Sequence, residues 1–193
     1  MENFRYLKDL KWEEVFDQWR KNESEDEGWQ RAAQEHGWPD WEHWRSYLSD
    51  KALALPTREW KLYGIDDPLT ALPNFLVGPF DSWQQSVPED KINKITFGEY
   101  LELDRERWQT HDKIQSLLTH FPTQTQIIGL VKPETNQIVC IEGTHRSMAV
   151  TRAWREGIQL PAGITIELAL AHIGDQERDL LWKALYLGTH KPS

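Results

Sequence analysis

Six consecutive residues, Glu142-Gly143-Thr144-His145-Arg146-Ser147, carry the clearest chemical signal in the chain. They follow an apolar, β-branched run, Ile138-Val139-Cys140-Ile141, and lead into a helical pattern. A strand that turns at a glycine into a helix leaves the first N–H groups of that helix without acceptors. The helix dipole adds positive potential at the same spot. Such a turn is suited to an anion, phosphate above all. Gly143 lets a ligand approach the backbone closely. The Thr144 and Ser147 hydroxyls donate to phosphate oxygens or cap the helix. Arg146 offers a planar, bidentate fork. His145 donates from either ring nitrogen and adds charge when protonated. Each residue also has an ordinary alternative: Thr144 as a simple N-cap, Arg146 paired with Glu142, His145 as a satisfied, half-buried ring.

Weaker candidates lie elsewhere. His36, Asp40 and His43 imitate a metal cluster, but Gly37-Trp38-Pro39 breaks the helix that would align them. Asp66-Asp67-Pro68 reads as a turn. Asp104, Glu106, His111 and Asp112 read as a solvated helix face. Cys140 is the lone cysteine, which excludes an internal disulfide and a cysteine-based metal site.

The elements that must position the six residues follow from periodicity. Residues 112–120 read as a helix, 126–131 and 137–141 as a hairpin of strands, 144–155 as a helix ended by Gly157, and 164–170 as a strand. A last helix runs from Asp175 to Leu187. Upstream, Leu7, Leu10, Trp12, Val15, Phe16 and Trp19 share one helical face. Residues 29–36 and 40–48 give two further helices, with Glu42 and Arg45 as a surface ion pair. The acidic run at residues 22–28 reads as a solvated loop or a helix start rather than a binding tail. The proline-rich middle is irregular, with a short strand at 74–78. Thr96 and Glu99 form a capping box for a helix continuing towards Trp108.

Composition sets the limits. The chain has 193 residues, 39% of them apolar, so a packed core needs no cross-links. A net charge of −9 argues against DNA as a partner. The absence of a long apolar run or secretory leader argues for a soluble, cytoplasmic protein without a membrane partner. Six of the eleven tryptophans fall between Trp12 and Trp44. They serve either as core anchors or, in the competing reading, as the gripping surface of a non-catalytic adaptor for a protein partner.

The order helix, strand, turn, strand, Gly-x-His-Arg, helix, strand resembles the ParB/sulfiredoxin superfamily. Residues 127–131, 138–146 and Ala149 carry the likeness, over residues 105–172. The resemblance implies a small mixed-sheet α+β domain at 105–193; the Trp-rich, mainly helical portion (1–104), which the resemblance does not cover, is expected to pack on it. It also implies a nucleotide or other phosphorylated small molecule at Gly143, Thr144, His145, Arg146 and Ser147. Sulfiredoxin has a cysteine where Thr144 stands, and ParB proteins a Gly-Glu-Arg-Arg form followed by a DNA-binding domain. The free-serine kinases, with an acid-Gly-His-His-Arg segment, match best. By that similarity the chain is a candidate small-molecule kinase using ATP or ADP with Mg²⁺. Glu142 and His145 would then be catalytic, Glu142 as general base or Mg²⁺ anchor.

Overall fold

Strand β3 shows how the molecule is organised. Its second half, Ile127-Ile128-Gly129-Leu130-Val131, is an unbroken apolar run rather than an alternating one, and the strand is buried from Thr125 onward. A strand of that kind must be covered on both faces. In the computed structural model, which describes residues 3–188 and Lys191, that is what happens. Ile127 and Val131 face one apolar cluster, Ile128 and Leu130 the other.

The elements run as follows. Strand β1 (Phe4–Leu10) leads into helix α1 (Trp12–Glu23), α2 (Glu27–Glu35) and α3 (Trp41–Tyr47), which continues through a wider turn to Ala52. Strand β2 (Trp60–Ile65) is followed by two short helices, α4 (Pro68–Ala71) and α5 (Asp81–Gln84). Three helices then come in close succession: α6 (Phe97–Leu103), α7 (Arg105–Thr110) and α8 (Asp112–Thr119). After β3 come β4 (Ile138–Glu142), α9 (Thr144–Glu156), β5 (Thr165–His172) and α10 (Leu180–Leu187). The fold is α+β.

One five-stranded sheet has the order β1-β2-β5-β3-β4. Strands β3 and β5 are parallel, in register from Gln124↔Thr165 to Val131↔His172, and the other pairings are antiparallel. Helix α9 supplies Met148, Ala149, Val150 and Ala153 to the cluster on one face, with α6 to α8 beside it. Helices α1, α3 and α10 cover the other. The segment Phe75–Val77 lies along β4. Leu76 N–H donates to the Ile138 carbonyl at 2.8 Å, and Cys140 N–H donates to the Leu76 carbonyl at 2.9 Å.

Several expectations hold. The capping box at Thr96 and Glu99 forms, but the helix does not run on to Trp108: it ends at Leu103, and Asp104 caps a separate helix, α7. Asp67 caps α4, as a turn residue should. Gly157 ends α9 in the left-handed region, its N–H and that of Ile158 both donating to the Ala153 carbonyl.

Others are corrected. Leu7 and Leu10 belong to strand β1, not to the helix, which starts at Trp12. The middle contains β2, hidden from a proline count because all its prolines lie outside residues 60–65. The final helix begins at Leu180, five residues later than expected, after turns that start at Asp175. Residues 74–78 contribute only single bridges at Leu76. Because β1 and β2 hydrogen-bond into the sheet through β5, the boundary expected at residue 104 crosses one continuous sheet.

The tryptophans of the N-terminal helices are interior rather than presented. Trp19, Trp38, Trp41 and Trp44 are buried, and Trp12 and Trp29 half-buried. Four of the six rings are therefore not offered to a partner. No described helix is long and apolar enough to cross a membrane.

Ile128 is fully buried where β3 meets the α1/α3 layer. Ile128→Ala should cost about 2–5 kcal/mol, read as a lower midpoint with an unchanged slope in urea unfolding followed by tryptophan fluorescence.

Candidate ligand-binding site

The six residues singled out by sequence lie at the head of α9, and the turn is shaped by Gly143. Its φ of 94° is left-handed, and a Cβ there would lie 2.8 Å from Ile127 Cγ1. Only glycine fits both conditions. No side chain caps α9, and its first intrahelical bond runs from Ser147 N–H to the Gly143 carbonyl at 2.8 Å. The Thr144, His145 and Arg146 N–H groups are therefore the unpaired donors of the first turn.

A cavity of about 300 Å³ opens against this turn. Glu142, Gly143, Thr144, His145 and Arg146 line one side, with Thr125 of β3. The opposite side comes from the N-terminal helices, through Asn22, Glu23, Asp26, Trp29, Trp44 and Arg45. Phe80, Asp81 and Trp83 around α5, and Lys113 of α8, complete the wall. The N-terminal helices thus form half of the site.

Arg146 does not stand free in this cavity. Its guanidinium donates to Glu142 Oε1 and to Thr125 Oγ1. The residue is 9% exposed and Glu142 4%. The Asn22 amide lies 3.4 Å from Glu142 Oε2; turned over, its oxygen would accept from Arg146 at 3.3 Å. Burial drives the Glu142 carboxyl above the ordinary glutamate range. Arg146 pulls it back, while the nearby Glu23 carboxylate pushes it up further. The i,i+4 pairing weighed as the ordinary alternative for Arg146 is therefore formed.

A second buried pair lies across the cavity. Arg45 donates to Glu23 Oε2 from Nε at 3.0 Å and reaches it from the other nitrogen at 2.9 Å. Trp41 Nε1 donates to the same oxygen at 2.8 Å. The Arg45 guanidinium lies over the Trp44 ring at 4.2 Å and the Trp29 ring at 4.8 Å. The expected surface pair of Glu42 with Arg45 does not form, because α3 turns Arg45 inward and Glu42 instead accepts from Arg20 at 2.7 and 2.8 Å. Lys113 and Asp26 make a third, more exposed pair at 3.3 Å.

His145 is half-buried in an aromatic box. Its ring centroid lies 5.2 Å from Trp83, 5.5 Å from His111 and 6.3 Å from Trp29. Burial, then Lys113, His111 and Arg146, lower its pKa to about 3. At neutral pH it is an uncharged ring, so the cationic clamp expected of it is corrected to a neutral donor or acceptor.

Ser147 is also reassigned. It is fully buried, 3.8 Å from the Cys140 sulfur, and is absent from the cavity wall. Helix geometry places it on the far side of the turn, against the strand, so its hydroxyl does not serve a ligand. Cys140 is sealed there too, its thiol pushed up to about 12 by burial.

A resident Mg²⁺ does not suit the donor set. Glu142 Oε1 is taken by Arg146, and among the described residues no three acidic, histidine or cysteine side chains are placed to hold a metal ion. Glu142 is also fastened as a general base, since proton abstraction would first require it to leave Arg146.

Sequence reasoning missed Asn22, Glu23, Arg45, Lys113 and Thr125. The acidic run containing Glu23 resembles a solvated loop. The one available signal was Trp41-x-x-Trp44-Arg45, an arginine adjoining an apolar face, where a buried cation must find an acid.

Two outcomes test this description. Arg146→Met strands a buried carboxylate and should cost about 3–5 kcal/mol, whereas the double variant Glu142→Gln/Arg146→Met should recover most of that loss in chemical denaturation. The second outcome concerns acid. Between pH 6.5 and about 3 the unfolded chain protonates His145 while the folded chain does not. This residue's contribution to stability is therefore complete above pH 6.5 and falls as pH drops. His145→Gln should flatten the decline in thermal midpoint over that window. Comparison of the chain with protein-family models, curated proteins and solved structures returns no match.

Proposed function

We propose that the protein binds a phosphorylated small molecule, nucleotides included, in the cavity at the head of α9. The observation that carries this reading is the cavity itself. A concave space of about 300 Å³ ends on an uncapped helix start, beside a buried arginine and against aromatic rings. Pockets for small ligands are concave and largely apolar, with a few placed polar groups, and this one has that character. The phosphate is assigned to the Thr144, His145 and Arg146 N–H groups. Arg146 supports it electrostatically while holding Glu142. The ParB/sulfiredoxin resemblance of residues 105–172, carried by the sequence, favours the same ligand class.

The reading stops at binding. Phosphoryl transfer from ATP or ADP would need a cation and a free base, and Glu142 is committed to Arg146. The adaptor alternative is less favoured, because four of the six N-terminal tryptophans are buried.

A ligand that binds only the folded state raises stability by mass action, about 2.7 kcal/mol at a hundredfold excess over Kd. Thermal unfolding in millimolar nucleoside phosphates, sugar phosphates and phosphorylated amino acids should therefore show at least one compound raising the midpoint by several degrees. A flat response across the whole panel would sink the proposal.

A further inference from the structure

We infer that the ligand carries one anionic group on a flat, uncharged ring body, and that polyphosphates are rejected; this rests on the binding reading above. Three cations line the cavity, and each already faces a carboxylate that lines it too: Arg146 with Glu142, Arg45 with Glu23, Lys113 with Asp26. Asp81 adds a fourth carboxylate that makes no ion pair among the described residues. The wall therefore carries more negative than positive charge. Polyphosphate sites are built the other way, with surplus cations or a metal ion. What is unspent is the short run of backbone donors at the start of α9, enough for one anionic group.

Size and shape point the same way. About 300 Å³ is at the lower end of small-molecule pockets and suits a ligand no larger than a mononucleotide. Trp29, Trp83 and Phe80 supply ring surface to that space. Flat ligands gain from such surface by offset or edge contacts without needing hydrogen bonds. Trp83 is held in place from behind by Trp108, stacked at 5.2 Å and 8°. A ring wall fixed in advance adds affinity because it does not have to be ordered on binding.

The test uses AMP, ATP, adenosine and inorganic phosphate, each titrated in EDTA and read by tryptophan fluorescence and thermal shift. AMP should bind at least tenfold more tightly than ATP, and more tightly than adenosine or phosphate alone. ATP binding as well as AMP would overturn the inference while leaving the site reading intact. Phosphate matching AMP would overturn the ring requirement. If none of the four binds, both the inference and the nucleotide half of the site reading fall. The charge argument has its own check. Asp81 is exposed at the start of a short helix, so Asp81→Asn leaves the fold in place, and it should narrow the AMP-to-ATP gap about threefold. An unchanged gap overturns that argument.

Discussion

The bond between Arg146 and Glu142 is the constraint on which the site depends. It joins the last residue of β4 to the first turn of α9 across Gly143, and through Thr125 it also ties in β3. Removing two charges from water costs several kcal/mol per ion, so the pair survives only where geometry and further hydrogen bonds compensate. That requirement shapes its surroundings. The left-handed turn at Gly143 lets the chain reverse tightly enough for the pair to meet over Ile127. Asn22 is brought from α1 to the remaining carboxylate oxygen. The N-terminal helices therefore have a fixed relation to the α9 turn, and the cavity between them is preformed.

The same economy governs the rest of the wall. Arg45 is held by Glu23, which also accepts from Trp41, and by the faces of Trp29 and Trp44, and Lys113 is held by Asp26. His145 is kept neutral by burial among rings and neighbouring cations. Charges that are this fully matched rigidify a site and contribute little free potential to a ligand. Recognition then falls to backbone donors and ring surface, whose positions are set by the sheet and by the packing of α9. Under the proposed binding role, a chain with a net charge of −9 needs no basic surface to take one anionic group.

How much of this could be read in advance depended on how local the cause was. The hairpin of β3 and β4, the helix after Gly143 and the strand β5 were legible because periodicity, turn residues and a terminating glycine all agreed. The capping residues Thr96 and Asp67 were legible for the same reason. Strand β1 was not, because Leu7 and Leu10 share their spacing with the helix that follows, and an edge strand alternates only weakly. Strand β2 was not, because its pairing with β5 lies over a hundred residues away in sequence. Glu23 and Arg45 escaped notice because the partner of a charged residue is a tertiary fact. Glu42 was the nearer candidate for Arg45, and the fold sends it to Arg20 instead.

What the amino-acid order decided by itself was the local grammar: an apolar strand, a glycine turn, an uncapped helix with Arg146 four residues after Glu142, and a reserve of aromatic side chains. Helix periodicity and the need for glycine at a left-handed turn act over a few residues, so they are written in consecutive positions. Which of those side chains would face a ligand was settled only when distant segments packed together. Burial fixed the charge of His145, pairing spent Glu142 and Arg146 on each other, the strand face hid Ser147, and the N-terminal helices closed the far wall. Desolvation and pairing depend on what lies across the space, and only the folded chain defines that.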